Sequence, residues 1–303
     1  MGVWVDGRVH DSHPLPGTDV VVDGVRLHVI RHGRDGSPGE PVLVFLHGLG
    51  TTSRLWADVV RDLEHDHRSV VPDLAGCGRS ERPRLRHCSP AAQAQLVIGL
   101  LDELGHSSAV IVGHDIGGMV AVHLAALAPS RVHALVLVAT PLHDDVWPPA
   151  VAMPLTVPLA GRAYSQALHV GGSVTPRLVA ALIGPTGIGE PPPDAELSSY
   201  TAALRAPDGP RGLRDVVSAV DPAAATVALG VVATEPPPTL VLWGEEDTRL
   251  TTEYGARIAS AIPGAVWVPV AGAGHLLPTE RPERVAEEIS GFLADLPTAA
   301  ATG

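Results

Sequence analysis

Three polar residues of this chain stand where apolar runs give way to glycine, and their types suit a two-step displacement on carbon. The first is Asp115. The run Val110-Ile111-Val112 ends in Gly113-His114-Asp115-Ile116-Gly117-Gly118, and a small-residue helix, Met119 to Leu127, follows. Gly-X-Asp-X-Gly between a strand and a helix has the form of a nucleophile elbow, a sharp turn that pushes one side chain into an open pocket. Gly113 and Gly117 flank it because larger side chains would clash there. Ser usually holds the central position, and a carboxylate changes the chemistry. It is already ionised at neutral pH and needs no base to attack an electrophilic carbon; the product is an alkyl ester on Asp115. An ester substrate would give an anhydride instead, so alkyl transfer is the expected reaction.

Hydrolysing such an ester takes a base and an orienting acid, met in the chain order nucleophile, acid, His. The run Thr239-Leu240-Val241-Leu242-Trp243 closes in Gly244-Glu245-Glu246-Asp247, and Ala265-Val266-Trp267-Val268-Pro269-Val270 leads to Ala271-Gly272-Ala273-Gly274-His275. Both sit at the carboxyl ends of expected strands, where open α/β sheets build their sites. Asp247 is favoured as the acid because a Gly244-Glu245-Glu246 turn puts it just beyond the strand; Glu246 is the competitor. His275, oriented by Asp247, would deprotonate the water.

These residues need an alternating array of strands and helices behind them. Val20-Val21-Val22 and Val25 to Ile30 flank Asp23-Gly24, a hairpin signal. Pro41 to Leu46 reads as a buried strand, Ser69 to Asp73 as another short strand, Ala91 to Leu104 as a helix, Ala134 to Ala139 as a strand, and Pro282 to Leu296 as a closing helix. Repeated βα units imply a mostly parallel, doubly wound sheet. The interval from Pro141 to about Glu235 differs: helical stretches (Pro176 to Ile183, Ala195 to Leu204, Leu213 to Val220) are broken by Pro- and Gly-rich loops. The expected organisation is a core over 1–140 and 236–303 with a helical cap over 141–235 inserted between two strands.

Several features exclude other classes. The chain has 303 residues, 45% of them hydrophobic, and a net charge of −12. That acidity argues against nucleic acid or an anionic membrane as partner. No run approaches the roughly 20 apolar residues of a membrane helix, and Met1 to Arg8 lacks the apolar core of a secretory signal. Two cysteines, Cys77 and Cys88, make no disulfide framework, so a cytoplasmic setting is expected. His143-Asp144-Asp145 has no zinc spacing, and Gly76-Cys77-Gly78 is no dinucleotide fingerprint. No cofactor or metal is expected; the partner is a small-molecule substrate, and the protein a monomer or homodimer.

Taken together, His47-Gly48-Leu49-Gly50, Asp73-Leu-Ala-Gly-Cys-Gly-Arg-Ser80, the Gly-His-Asp-Ile-Gly-Gly elbow, Trp243-Gly-Glu-Glu-Asp247 and Gly274-His275 resemble the α/β-hydrolase superfamily over nearly the full length. The elbow is similar to that of the epoxide hydrolase and haloalkane dehalogenase branch. The resemblance implies the α/β-hydrolase fold, a mostly parallel central sheet flanked by helices with an inserted helical cap. It implies an Asp115-His275-Asp247 triad and an oxyanion hole from the backbone N–H groups of Leu49 and Ile116. Dehalogenases of this branch usually carry Trp after the nucleophile and often Asn in the loop after the first buried strand; Ile116 and Leu49 stand there. Fluoroacetate dehalogenases place Arg after the Asp, which Ile116 also excludes. Epoxide hydrolases use two cap tyrosines as acids. The cap holds Tyr164, expected just before a helix, and Tyr200, expected within one, but Leu213 to Val220 carries no Tyr, and Gly50 replaces the family's loop Pro. Tyr164, Tyr200, Trp147 and His47 are the candidate substrate contacts, with His47 expected chiefly to brace the oxyanion loop and Tyr254 to be structural. The expected activity is opening of an epoxide to a diol, with a bulky natural-product epoxide as one candidate substrate; the alternatives are a dehalogenase and a non-catalytic ligand-binding protein on a hydrolase scaffold.

Overall fold

Uninterrupted apolar runs become the buried strands of one sheet, because a strand covered on both faces has no solvent side toward which to alternate. The computed structural model describes residues 3–5, 8–10, 15–34, 40–143, 152–170, 175–183, 194–206 and 208–296. A small antiparallel pair comes first, β1 (Val3–Val5) with β2 (Arg8–His10). The main sheet is built from β3 (Gly17–Val22), β4 (Val25–Gly33), β5 (Val42–Leu46), β6 (Arg68–Pro72), β7 (Ala109–His114), β8 (Val132–Val138), β9 (Thr239–Gly244) and β10 (Val266–Val270). Its spatial order is β10-β9-β8-β7-β5-β6-β4-β3. Pairings from β6 through β5, β7, β8 and β9 to β10 are parallel, while β4 runs antiparallel to both β3 and β6. At the β3–β4 hairpin, Asp23 and Gly24 have φ of 49° and 76°, the paired positive values of a type I′ turn.

Every residue of β5, β7 and β9 is buried. Two rows of helices cover them. Helix α2 (Pro90–Glu103) packs on α3 (Ile116–Leu127) in one row, and α1 (Ala57–Asp62) packs with α12 (Pro282–Ala294) in the other. The α2 start reads directly from sequence: the Ser89 hydroxyl accepts from Ala92 N, and Pro90 opens the first turn, where its missing N–H goes unnoticed.

Between β8 and β9 the described chain forms α4 (Met153–Thr156), α5 (Pro158–Val170), α6 (Thr175–Ile183), α7 (Asp194–Arg205), α8 (Gly209–Ala219) and α9 (Pro222–Val232). Three match the expected stretches to within a few residues; α4, α5 and α9 are additional. Tyr164 therefore lies inside α5, not before a helix. Helix α7 packs on the 3-10 turn Ser53–Trp56, and α8 on the 3-10 turn Leu85–His87. Both turns follow the carboxyl ends of β5 and β6, so these helices sit over the site-bearing end of the sheet. An ion pair ties them down: Arg82 Nε and Nη2 donate to Asp215 Oδ2 of α8 at 2.9 and 2.6 Å. Helix α9 instead packs against α3 beside the sheet. No single described helix is long and apolar enough to cross a membrane. Helices α10 (Thr252–Ala261) and α11 (Leu277–Glu280) follow β9 and β10.

Candidate active site

Asp115 occupies the turn between β7 and α3 with φ 51° and ψ −123°, a conformation that costs a non-glycine residue about 1–3 kcal/mol and persists only where the surroundings enforce it. Here backbone packing enforces it. A Cβ on Gly113 would lie 2.4 Å from Gly117 O, and one on Gly117 would lie 2.3 Å from Leu46 O. The two glycines let the first turn of α3 press against β7 and β5 while Asp115 is turned outward.

The carboxylate is fixed by both of its oxygens. Oδ1 accepts from Leu49 N at 3.2 Å and from Ile116 N, the two backbone donors expected from sequence. Oδ2 lies 3.2 Å from His275 Nε2. His275 Nδ1 lies 2.8 Å from Asp247 Oδ2, and Asp247 Oδ1 accepts from Arg249 N and Leu250 N at 2.8 and 3.0 Å. Asp115, His275 and Asp247 thus form one continuous hydrogen-bonded line. Glu246, the competing acid, is exposed and accepts from Gly272 N instead.

Electrostatics follow from this line. Burial works against a charged His275, but the Asp247 and Asp115 carboxylates outweigh it and raise the imidazole to about 9. Burial likewise opposes ionised Asp115 and Asp247; His275 and the backbone N–H donors overcome it and hold both below the usual carboxylate range. The resting site is an imidazolium between two carboxylates.

The loops are braced from behind. His47 is fully buried; its Nε2 accepts from Leu74 N at 3.0 Å, so the proton sits on Nδ1, which donates to Gly48 O at 2.9 Å. Both ring nitrogens are thus spent on holding the oxyanion loop. Glu280 accepts from Gly274 N and Leu276 N at 2.8 and 3.1 Å, gripping the backbone on either side of His275. His114 Nε2 donates to the His275 carbonyl at 2.8 Å; burial and then the His275 charge push His114 down to about 4, so it stays neutral. Trp243 Nε1 donates to Leu250 O at 2.7 Å and steadies the Asp247 loop. Neither Glu280 nor the His114 tie stood out in the sequence. The available signal was an acid six residues past Gly274 and two before the closing helix, and a His directly before the elbow residue.

The remaining candidates take no part in this hydrogen-bonded line among the described residues. Tyr200 is fully buried and faces Glu196, Arg54 and Thr279. The Tyr164 hydroxyl is buried on α5 without a hydrogen-bond partner among the described residues. Tyr254 takes a hydrogen bond from His143 N at 2.8 Å. Trp147 lies outside the described residues. Among the described residues no cluster of His, Cys, Asp or Glu is arranged to hold a metal ion.

Comparison with known proteins bears on this geometry. The family model for the alpha/beta hydrolase fold matches residues 41–282. An uncharacterised hydrolase of Bacillus subtilis, YugF, is 26% identical over 90% of this chain and 96% of its own length. Haloalkane dehalogenase 2 of Mycobacterium tuberculosis is 29% identical over 87% of this chain and 90% of its own. Among solved structures, the epoxide hydrolase CorEH superposes with a TM-score of 0.74 at 21% identity, covering 93% of this chain and 99% of the other.

Proposed function

Since the chain belongs to the alpha/beta hydrolase fold family, we propose that it hydrolyses an electrophilic substrate through a covalent ester on Asp115, opening an epoxide to a diol. The observation that carries this reading is the resting pose of Asp115. One carboxylate oxygen is cradled by two N–H groups, and the other faces His275, which the two flanking carboxylates favour in its charged form.

In the first step Oδ2 attacks an epoxide carbon, the C–O bond opens, and the departing oxygen takes the Nε2 proton of His275. Alkylation cancels the Asp115 charge, so His275 loses one of the two carboxylates that kept it protonated and becomes a competent base. It then takes a proton from water. The hydroxide adds to the ester carbonyl, whose oxygen gains charge in the Leu49 and Ile116 cradle. Collapse releases the diol and restores Asp115 and the imidazolium. Epoxide plus water yields diol, with no other reactant. In this reading the helices over the site form the cap that excludes solvent, and Tyr164 and Trp147 remain its candidate substrate contacts. With only 3% aromatic residues, an aliphatic-lined pocket suits a bulky epoxide. Two free cysteines, Cys77 and Cys88, suit a reducing cytoplasm.

Dehalogenation by the same nucleophile is the second reading, favoured by the 29% identity to haloalkane dehalogenase 2. Two observations weigh against it. A departing halide calls for donors beside the nucleophile, and the side chains of Leu49 and Ile116 are aliphatic. A departing halide also takes up no proton, which leaves the resting imidazolium without a task in the first step.

The deciding experiment is intact-mass spectrometry of His275→Gln after prolonged exposure to mixed epoxides and haloalkanes. Water can protonate the opened epoxide slowly, but the ester then has no base to hydrolyse it. A mass gain equal to a whole epoxide supports the proposal. A gain equal to an alkyl halide less HX makes the protein a dehalogenase. No adduct with either class overturns the covalent reading in favour of a ligand-binding protein.

A further inference from the structure

A second cavity, of about 300 Å³, opens between α7 and the loops that follow β5 and β6. None of Asp115, His275, Leu49 or Ile116 lines it, so it is separate from the triad. Its wall combines Arg54, Arg79 and Ser199 with the apolar Leu15, Ile30 and Ala203. Its size is at the lower end of small-molecule sites, and the mixed wall is typical of them.

Arg54 is the unusual member. Its Nη1 is buried and has no hydrogen-bond partner. The carboxylates around it are engaged elsewhere or disfavoured as anions by burial. Asp73, which also lines the cavity, accepts from Ser53 N through Oδ1 at 2.7 Å and from Arg79 N through Oδ2 at 2.8 Å. Asp58 pairs with Arg61 at 2.6 Å. Glu196 of α7 is buried, and burial, only partly offset by Arg54, pushes its carboxyl up to about 7; its Oε2 is also without a partner. The Arg79 guanidinium contacts the neutral acceptor His28 Nε2 at 3.1 Å. Arg54 and Arg79 therefore line one cavity with no carboxylate in salt-bridge contact with either among the described residues.

A buried guanidinium nitrogen left unpaired is costly, and its planar fork is shaped to take two oxygens of a carboxylate or phosphate. We propose that this cavity binds a small organic oxyanion, a carboxylate or phosphate monoester with a short aliphatic part. The acid head meets Arg54 and Arg79, and the aliphatic part lies against Ala203 and Ile30. Ser199 and Ala203 share one face of α7, so the occupant bridges that helix to the Thr52–Arg54 segment just beyond the oxyanion donor Leu49.

The test uses Asp115→Asn protein, so that no substrate turns over. Butyrate, butyl phosphate, inorganic phosphate and the neutral control butanol are titrated by calorimetry, with Tm followed in parallel. Saturable binding of butyrate or butyl phosphate at about 1 mM or tighter, with none for butanol, is expected. The better of the two identifies the head group, and tighter binding of either than of inorganic phosphate supports the aliphatic part. Adding Arg54→Gln should weaken binding at least tenfold. That change removes a group with no hydrogen-bond partner, so folding is retained; Ala203→Leu, which fills the cavity and leaves Arg54 in place, gives an independent loss. Absence of saturable binding overturns the proposal, as does binding that survives both substitutions unchanged.

Discussion

The imidazolium of His275 should be visible as a pH-dependent part of folding stability, read as the difference between the wild type and His275→Gln. His275 is raised from 6.5 to about 9 by two carboxylates and is almost fully buried. That rise corresponds to about 3 kcal/mol of preference for the charged form. Because the folded value lies above the unfolded one, the stabilisation is complete below 6.5 and is lost as pH rises through 9. Other shifted groups overlap the edges of this window and cancel when the wild type is compared with His275→Gln. Burial raises Glu196 from 4.5 to about 7, so its effect fades as pH rises through 7. His47, His67, His106, His114 and His123 are lowered, chiefly by burial, so their effect changes around and below 6.5. Asp115 and Asp247 are lowered from 3.8 and matter only in acid. Burial raises Cys77 and Cys88 from 9.0 to about 12 and about 11, so they weigh mainly above 9. In urea unfolding, the stability lost between pH 6.5 and pH 9 should therefore be about 3 kcal/mol larger in the wild type than in His275→Gln. Equal pH dependence in the two proteins would refute the charged resting site and, with it, the imidazolium as proton donor.

Other perturbations follow from particular contacts. Gly117→Ala places a Cβ 2.3 Å from Leu46 O; a loss of about 3 kcal/mol is expected by thermal unfolding, and a change below about 1 kcal/mol would mean the elbow is less tightly packed than described. Arg82→Met leaves Asp215, whose side chain is 9% exposed, with Arg214 at 3.3 Å as its remaining ion partner. Because Arg82 is partly exposed, the expected loss is about 1–2 kcal/mol, with faster hydrogen exchange in α8; unchanged exchange would show that the pair does not hold that helix down. His114→Phe removes the hydrogen bond to the His275 carbonyl and should lower kcat about tenfold with little change in KM, partly recovered in His114→Gln; a KM effect without a kcat effect would assign His114 to substrate binding instead.

The sheet was legible because its strands are short, wholly apolar and bounded by glycine, a pattern that survives without tertiary information. Asp115, Asp247 and His275 were legible because each stands at the end of such a strand. The helices over the sheet were harder to read. Pro154, Pro158 and Pro222 fall where sequence alone suggests interruption, yet each occupies the first turn of a helix or the residue that opens it, where a missing N–H is harmless. Helix α9 is apolar nearly all round, so no periodic face marks it. The direction in which Tyr200 points was equally hidden, because it depends on which side of α7 meets the core. Glu280 and His114 act through backbone groups of another loop, and partners of that kind leave no trace in the spacing of side chains.

The two-point hold on Asp115 has a consequence for where oxygen atoms travel. Oδ1 is pinned by Leu49 and Ile116, so only the oxygen facing His275 is free to be handed to substrate. In the proposed reaction the atom leaving in the first product molecule is the protein's own, and the water oxygen stays behind in the side chain. In water enriched in heavy oxygen, a single turnover should release unlabelled diol and make the enzyme heavier by one isotopic atom. Label should reach the product only from the second cycle onward, while the pinned atom is retained through every cycle.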